Sequence, residues 1–365
     1  MTSRPTMGVE EEFLLVDPQG GEPIARNKQV AACAAEHGVK LQLELTSCQV
    51  ETTTDVMESS EALRAELSRL RRIATEAAAA NGAQLLAAAL PPTVPHKFPV
   101  TPTPRYRRIA HRFGMIAHEQ GICGCHVHVA VPDRDAAIHV SNWLRPWLHV
   151  LLALTANSSI YRNTDSGYAS FRSVLWTRWP SSGPPPHFDS TAEYDAAVDM
   201  LRRAGVALDD GMIYWDVRPS ANFPTVETRV SDVPATVAET VVLATLIRAG
   251  VMTALQAHDD GESAPRLTDC AIRAAHWKAA HDGLEGDGVD LAGDQSVMPA
   301  RELLSRFVET LRPALETLGD LDMVRDELAR IAVDGNGAMR QRRAWRRRGE
   351  ISDVIGELAA ATTSE

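Results

Sequence analysis

The sequence predicts an α+β fold, and three observations carry the prediction. Short segments in the first third and the middle of the chain alternate apolar and polar residues with the period of a strand. Longer segments between and after them space their apolar residues as a helix does. The order runs strand, helix, strand, helix, strand and then a helix-rich tract, unlike the regular alternation of a doubly wound sheet.

Gly8–Val16 is the first expected strand. Asp17–Gly21 supplies a turn, and Glu22–Ala25 pairs back. Val39–Leu45 alternates, with Leu41, Leu43 and Leu45 on one face and Gln42 and Glu44 on the other. Glu58–Asn81 is an amphipathic helix capped by Ser59 or Ser60 and stopped by Gly82. Gln84–Ala89 reads as a buried strand, Pro104–Gln120 as helix and Gly121–Val131 as strand. Arg134–Ser159 is a long helical region that Pro146 interrupts. Thr191–Ala204 is a helix ending at Gly205, and Met212–Arg218 and Thr225–Ser231 are strands. Helices are expected at Pro234–His258, Asp269–Asp282, Ala300–Leu318 and Met323–Val333. No internal repeat or long linker divides the chain, so residues 1–365 are expected to form one domain.

Composition narrows the function. Hydrophobic residues at 44% and charged residues at 23% allow a large core without disulfides or structural metal. A net charge of −11 argues against nucleic acid as a partner. Five cysteines, Cys33, Cys48, Cys123, Cys125 and Cys270, are odd in number and scattered, which suits a reducing compartment. The N-terminus has no apolar signal core, and neither Trp147–Ala156 nor Val233–Leu255 reads as a membrane span. A cytoplasmic location is expected, with no membrane partner.

Alternate residues of a strand share a face. Glu10 and Glu12 share one, opposite Val9, Glu11, Phe13 and Leu15. His126 and His128 share one, opposite Cys125, Val127 and Val129. Asp216 pairs in this way with Arg218, and Glu227 with Arg229. A sheet whose open face carries these pairs is a multi-carboxylate, arginine-lined surface. Carboxylates favour Mg²⁺ or Mn²⁺, and arginine forks suit phosphate and carboxylate. Nucleotide–metal chemistry is the implied class. The segment Cys123-Gly-Cys125-His126 also invites a zinc reading, but on a strand its cysteines point away from the histidines. No Gly-x-x-x-x-Gly-Lys loop, Gly-x-Gly-x-x-Gly turn or Gly-x-Ser-x-Gly elbow occurs. Six arginines fall within Arg340–Arg348, a pattern expected of a solvated helix face.

A family resemblance rests on a series of motifs. Gly8-Val-Glu-Glu-Glu-Phe-Leu-Leu-Val-Asp17, Gln49-Val-Glu51 and Gly124-Cys-His-Val-His-Val129 come first. Asn157-Ser-Ser-Ile-Tyr-Arg-Asn163, Gly167-Tyr-Ala-Ser-Phe-Arg172 and Arg178-Trp-Pro-Ser-Ser-Gly-Pro-Pro-Pro186 follow. Trp215-Asp-Val-Arg-Pro-Ser220, Pro224-Thr-Val-Glu-Thr-Arg-Val-Ser-Asp232 and Asn336-Gly-Ala-Met-Arg-Gln-Arg342 complete it. In this order the chain resembles the carboxylate–amine ligases of the glutamate–cysteine ligase type 2 family. The matched core runs over 8–342, leaving 343–365 as a C-terminal helical segment.

The resemblance implies a glutamine-synthetase-like catalytic domain, with a curved, mainly antiparallel sheet presenting its polar face to ATP, Mg²⁺ (or Mn²⁺) and substrates. It implies amide formation through an acyl phosphate, from a small carboxylate such as L-glutamate and an amine such as L-cysteine. It also implies a homo-oligomer. Glu10, Glu12, Glu51, His126 and Glu227 match the family's metal ligands, and His128 is expected on substrate or nucleotide. Arg229 is expected on the transferring phosphoryl group, and Arg172 and Arg218 on phosphate or the substrate carboxylate. Arg162 is a further binding candidate, and Asn336 and Arg340 are expected to close the site. Glu44 matches no family position and stays outside the set. Two other readings stand beside this one: a divalent-metal hydrolase built on the His126-x-His128 strand, and a non-catalytic nucleotide- or ligand-binding relative.

Overall fold

A computed structural model describes residues 4–119 and 121–364. Residues 1–3, Glu365 and the Gln120 end of one expected helix lie outside the described residues. Eleven strands are present among the described residues: β1 Met7–Val16, β2 Gln42–Leu43, β3 Gln49–Thr53, β4 Gln84–Leu86, β5 Cys125–Ala130, β6 Ile160–Tyr161, β7 Thr164–Asp165, β8 Val217–Pro219, β9 Thr225–Thr228, β10 Asp287–Val289 and β11 Val297–Pro299. Seven form one sheet in the order β2-β3-β1-β5-β9-β8, with β4 also pairing β1. Every pairing in it is antiparallel, as expected. β6–β7 and β10–β11 are separate two-stranded pairs.

The alternation read from the sequence decides which face is buried. Val9, Val127, Val129, Val217 and Val226 pack in one core with Leu63, Leu67, Leu144, Val241 and Leu246. These partners belong to the helices Ser60–Ala80, Arg134–Leu144 and Val237–Asp259, which cover the apolar side of the sheet. The Val237–Asp259 helix is long and apolar enough to cross a membrane, but 94% of its most apolar window is buried inside the protein. It is the central helix of this core.

Local signals also act as expected. Ser59, not Ser60, caps its helix by accepting from the Ala62 N–H at 3.1 Å, while Ser60 donates to Asp320 at 2.5 Å. Asp17 Oδ1 accepts from the Gln19 and Gly20 N–H groups, which closes the first turn. Around Pro146 the helix splits into Arg134–Leu144, a tight turn at Arg145–Trp147 and Leu148–Thr155.

Several elements differ from expectation. The Val39–Leu45 strand shrinks to Gln42–Leu43, because it is a sheet edge that pairs only with β3. The Pro104 helix breaks at Gly114, whose φ of +57° leaves the helical region. The expected Met212–Arg218 strand begins only at Val217. Unforeseen elements are the helices Asn27–Glu36 and Phe171–Trp176 and strand β3, while the expected C-terminal helical segment contains the helix Ile351–Thr362. In β3 the polar side chains of Gln49, Glu51 and Thr52 are buried, so no apolar alternation marks it.

Asn336 and Arg340 belong to the scaffold rather than to the site they were expected to close. Asn336 caps the Gly337–Arg348 helix and donates to the Ala153 and Leu154 carbonyls at 3.0 and 3.1 Å. Arg340 donates to Glu239 at 2.7 Å and to the Gly335 carbonyl at 2.6 Å. Gln341 donates to both oxygens of Asn157 at 2.8 Å, tying this helix to the 157–172 segment. Arg343 and Arg346–Arg348 lie on the exposed side of the helix, as its charge run suggested.

Two glycines test this packing. A Cβ on Gly337 would lie 2.0 Å from Asn157 Oδ1, whereas one on Gly356, inside the last helix, meets nothing within 4 Å. Gly337→Ala is expected to destabilise the protein by about 1–3 kcal/mol. Gly356→Ala is expected to stabilise it by about 0.5–1 kcal/mol. Denaturant unfolding of both variants checks the pair.

Candidate active site

Strand register assembles the polar face. Across β1 and β3, Glu12 lies opposite Glu51; across β1 and β5, Glu10 lies opposite His126. Across β5 and β9, His128 lies opposite Glu227, and across β9 and β8, Glu227 lies opposite Arg218. Directly opposed side chains stand about 5 Å apart. Residues far apart in sequence are therefore brought into one row across five strands.

Three groups of side chains converge closely enough to hold a cation, each with ligand atoms within 4.8 Å of one another. They are Glu10–Glu51–His126, Glu10–His128–Glu227 and Glu12–Glu44–Glu51. All five expected metal ligands fall within them. His128, assigned by resemblance to substrate, also joins a group, because β5 lies between β1 and β9. Glu44 is the residue that sequence reasoning missed. It follows β2 and stands beside Glu12 and Glu51; the Gln42/Glu44 alternation was its signal.

The arginines brace these acids. Arg218 Nε donates to Glu227 Oε2 at 2.8 Å, and Arg229 pairs with Glu227 Oε1 and lies 3.3 Å from His126 Nδ1. Arg172 donates to the Val230 carbonyl at 3.3 Å, lies 3.6 Å from Asp232 and stacks over Trp176. Asp232 in turn accepts from the Ser158 and Ser170 hydroxyls and the Asn157 N–H. Arg162 is not brought to this face. It sits at the β6–β7 turn with φ +53°, stacks on Tyr161 and lines a separate cavity with His96 and Glu119.

Electrostatics divides the acids into two sets. Burial opposes charge on Glu10, but hydrogen bonds with His126 and His128 hold its carboxyl well below the usual range. Burial likewise opposes charge on Glu227, and Arg229 and Arg218 overcome it. Glu51 is pushed well above the usual range by burial and by Glu44, Glu10 and Glu12. Glu44 rises to about 8, through burial and the charge of Glu12. Three carboxyls crowded without a cation cannot all ionise; a cation among them removes that conflict.

The donor set therefore fits a hard divalent cation: carboxylate oxygens dominate, with two histidines. Arg172 Nε and Arg229 Nε are buried with no hydrogen-bond partner, which fits an anionic ligand beside the acids. Among the described residues, no such cation-holding group joins His126 and His128 to a third histidine or to a cysteine. Cys123 and Cys125 are buried, and they pack in the apolar cores. The zinc reading finds no ligand set.

The acids open into a cavity of about 180 Å³ walled by Leu45, Tyr106, Ile109, Trp176, Trp179 and Tyr214, with Arg105, Arg172 and Arg229 on its border. A second cavity of about 490 Å³ is lined by Arg218 together with Tyr194, Val198, Arg202 and Pro219.

The two raised acids set a pH dependence. At pH 7 the Glu44 carboxyl, raised to about 8, is mostly protonated without a cation, Glu51 is pushed in the same direction, and a cation would bind the deprotonated forms. Mn²⁺ binding at pH 7 is expected to release protons and to tighten as pH rises to about 8. Calorimetry in buffers of different ionisation enthalpy measures this; a heat independent of buffer contradicts it. Cation-free stability has the opposite slope. The folded Glu44 value of about 8 exceeds the ordinary 4.5, so its contribution is complete below pH 4.5 and is lost as pH rises through 8.

The chain is similar to known proteins over its whole length. A family model described as "Glutamate-cysteine ligase family 2" matches residues 6–357. A Mycolicibacterium smegmatis protein named "Putative glutamate--cysteine ligase 2-3" is 72% identical over 365 residues, covering all of both chains. A "Putative glutamate--cysteine ligase 2-2" of Mycobacterium sp. (strain KMS) is 63% identical over 362 residues, covering 99% of this chain and 100% of the relative. The crystal structure of a Francisella tularensis glutamate–cysteine ligase in complex with AMP superposes with a TM-score of 0.68 at 14% identity, covering 98% of this chain and 88% of that one. A bifunctional glutathione synthetase from Pasteurella multocida gives 0.69 at 15% identity, covering 98% and 52%. These two likenesses establish the fold, and the match over 6–357 with the identity over the whole chain establishes the lineage: the chain belongs to glutamate–cysteine ligase family 2.

Proposed function

We propose that this member of an ATP-dependent ligase family joins a small carboxylic acid to an amine through an acyl phosphate, and that residues 1–365 act as one catalytic unit. The observation that supports it most is the crowding of Glu10, Glu12, Glu44, Glu51 and Glu227 on one sheet face, with Arg172 and Arg229 at its edge. L-Glutamate and L-cysteine are the first pair to test.

A divalent cation, Mg²⁺ or Mn²⁺, supplies charge neutralisation at the nucleotide phosphates. Glu10, Glu12, Glu44, Glu51, His126, His128 and Glu227 would hold it, and their three groups offer places for more than one ion. Arg229 stands where it can stabilise charge on the transferring phosphoryl group, and Arg218 orients Glu227. The acid's carboxylate oxygen attacks the γ-phosphorus and ADP leaves. The amine then attacks the carbonyl carbon; the C–N bond forms, the C–O bond to phosphate breaks, and phosphate departs. The 180 Å³ cavity suits an amino-acid-sized substrate, and its volume is small for a nucleotide. The adenosine is assigned to the 490 Å³ cavity that Arg218 lines.

Release of ADP from ATP–Mg²⁺ against an amino-acid panel tests the reading. Release is expected only when an acid and an amine are both present, and a requirement for L-glutamate with L-cysteine names the pair. Turnover without nucleotide favours the hydrolase, and nucleotide binding without turnover for any pair favours the non-catalytic relative. Glu227→Gln is expected to lower kcat by about a hundredfold or more while the protein stays folded by circular dichroism.

A further inference from the structure

Glu11 lies between the two site carboxylates of β1 but points the other way, into the apolar core, where it is fully buried. Arg71, from the Ser60–Ala80 helix, meets it with a two-pronged contact: Nε donates to Glu11 Oε2 at 3.0 Å and Nη2 to Oε1 at 2.5 Å. Thr240, on the central helix, donates to the same Oε1 at 2.7 Å. Arg71 further donates to the carbonyls of Pro234, Ala235 and Thr362 at 3.0, 2.9 and 3.3 Å. The guanidinium also lies over the ring of Phe13, the next residue on that face of β1, at 5.4 Å.

Stability alone does not account for this pair. Desolvating two ions is costly, and apolar replacements of buried ion pairs are often neutral or stabilising. What the fork supplies beyond an apolar contact is direction, because it holds the carboxylate in one plane. Direction matters at this point of β1. Along one edge the strand pairs with β5 up to Glu11 opposite Cys125, and β4 takes over only at Leu14 opposite Leu86. The change of neighbour occurs where Glu10 and Glu12 must be aimed. On the front, Glu10 and Glu12 stand in separate groups of side chains close enough to share a cation, so each has to keep its own direction.

We propose that Glu11 and Arg71 are positioning residues: anchored behind the sheet, they fix the twist of β1 so that Glu10 and Glu12 stay aimed at the cation before it arrives. The inference rests on the cation-site reading above. It places a determinant of cation affinity on the face of the strand that no ligand touches.

The test measures Mn²⁺ binding without nucleotide, by the electron paramagnetic resonance of free Mn²⁺, with thermal unfolding run in parallel. The double variant Glu11→Leu/Arg71→Met replaces the pair by apolar side chains of similar size. Because the Pro234, Ala235 and Thr362 carbonyls lose a donor, its Tm is expected to fall; assayed below that Tm, the folded variant is expected to bind Mn²⁺ about tenfold more weakly or worse. Thr240→Val, which removes one hydrogen bond to Glu11, is expected to weaken binding in the same direction. A double variant that folds and binds Mn²⁺ as the wild type does overturns the inference. Should the double variant fail to fold, an unchanged Kd in Thr240→Val overturns it. A wild-type protein that binds no Mn²⁺ overturns the cation site itself, and the inference with it.

Discussion

The register of five antiparallel strands places acids on one side of the sheet closer together than free carboxylates tolerate, and the rest of the structure answers that constraint. Glu12 opposite Glu51, Glu10 opposite His126 and Glu227 opposite both His128 and Arg218 follow from backbone pairing alone. A one-residue slip would send these side chains into the valine-rich core behind the sheet. The apolar alternation of β1, β5 and β9 forbids the slip, so the hydrophobic core and the chemical face are specified by the same residues.

The charge on that face is managed in two ways. Glu227 and Glu10 are held ionised by arginine and histidine partners. Glu44 and Glu51 are pushed the other way, by burial and by the acids beside them. The arginines are themselves fixed by the scaffold. Arg172 is seated by backbone carbonyls next to Asp232, which is bonded to the 157–170 segment, and that segment is tied through Gln341 to a C-terminal helix. The last helices of the chain thus bear on the site without touching it.

Much of this was legible in the sequence. Period-two alternation in Gly8–Val16 and Gly121–Val131 identified both the buried face and the chemical face, and Pro146 marked the interruption of a helix. The illegible parts have specific causes. β3 carries buried polar residues, so its pattern resembles a loop. Glu44 follows a two-residue edge strand whose register is visible only beside β3. Asn336 and Arg340 carry polar side chains that satisfy helix ends and carbonyls, and such residues look the same in sequence as residues that bind a ligand. Arg162 lies near Arg172 in sequence, but a tight hairpin turns it to another cavity.

The central claim is that the crowded acids and their arginines bring a carboxylate oxygen onto the γ-phosphorus of ATP. Oxygen-18 in the carboxylate of the acid that supports ADP release tests it most directly. The account predicts that each phosphate released with amide formation carries one oxygen from that carboxylate, seen by mass spectrometry. Phosphate that carries no label while the amide forms would contradict it.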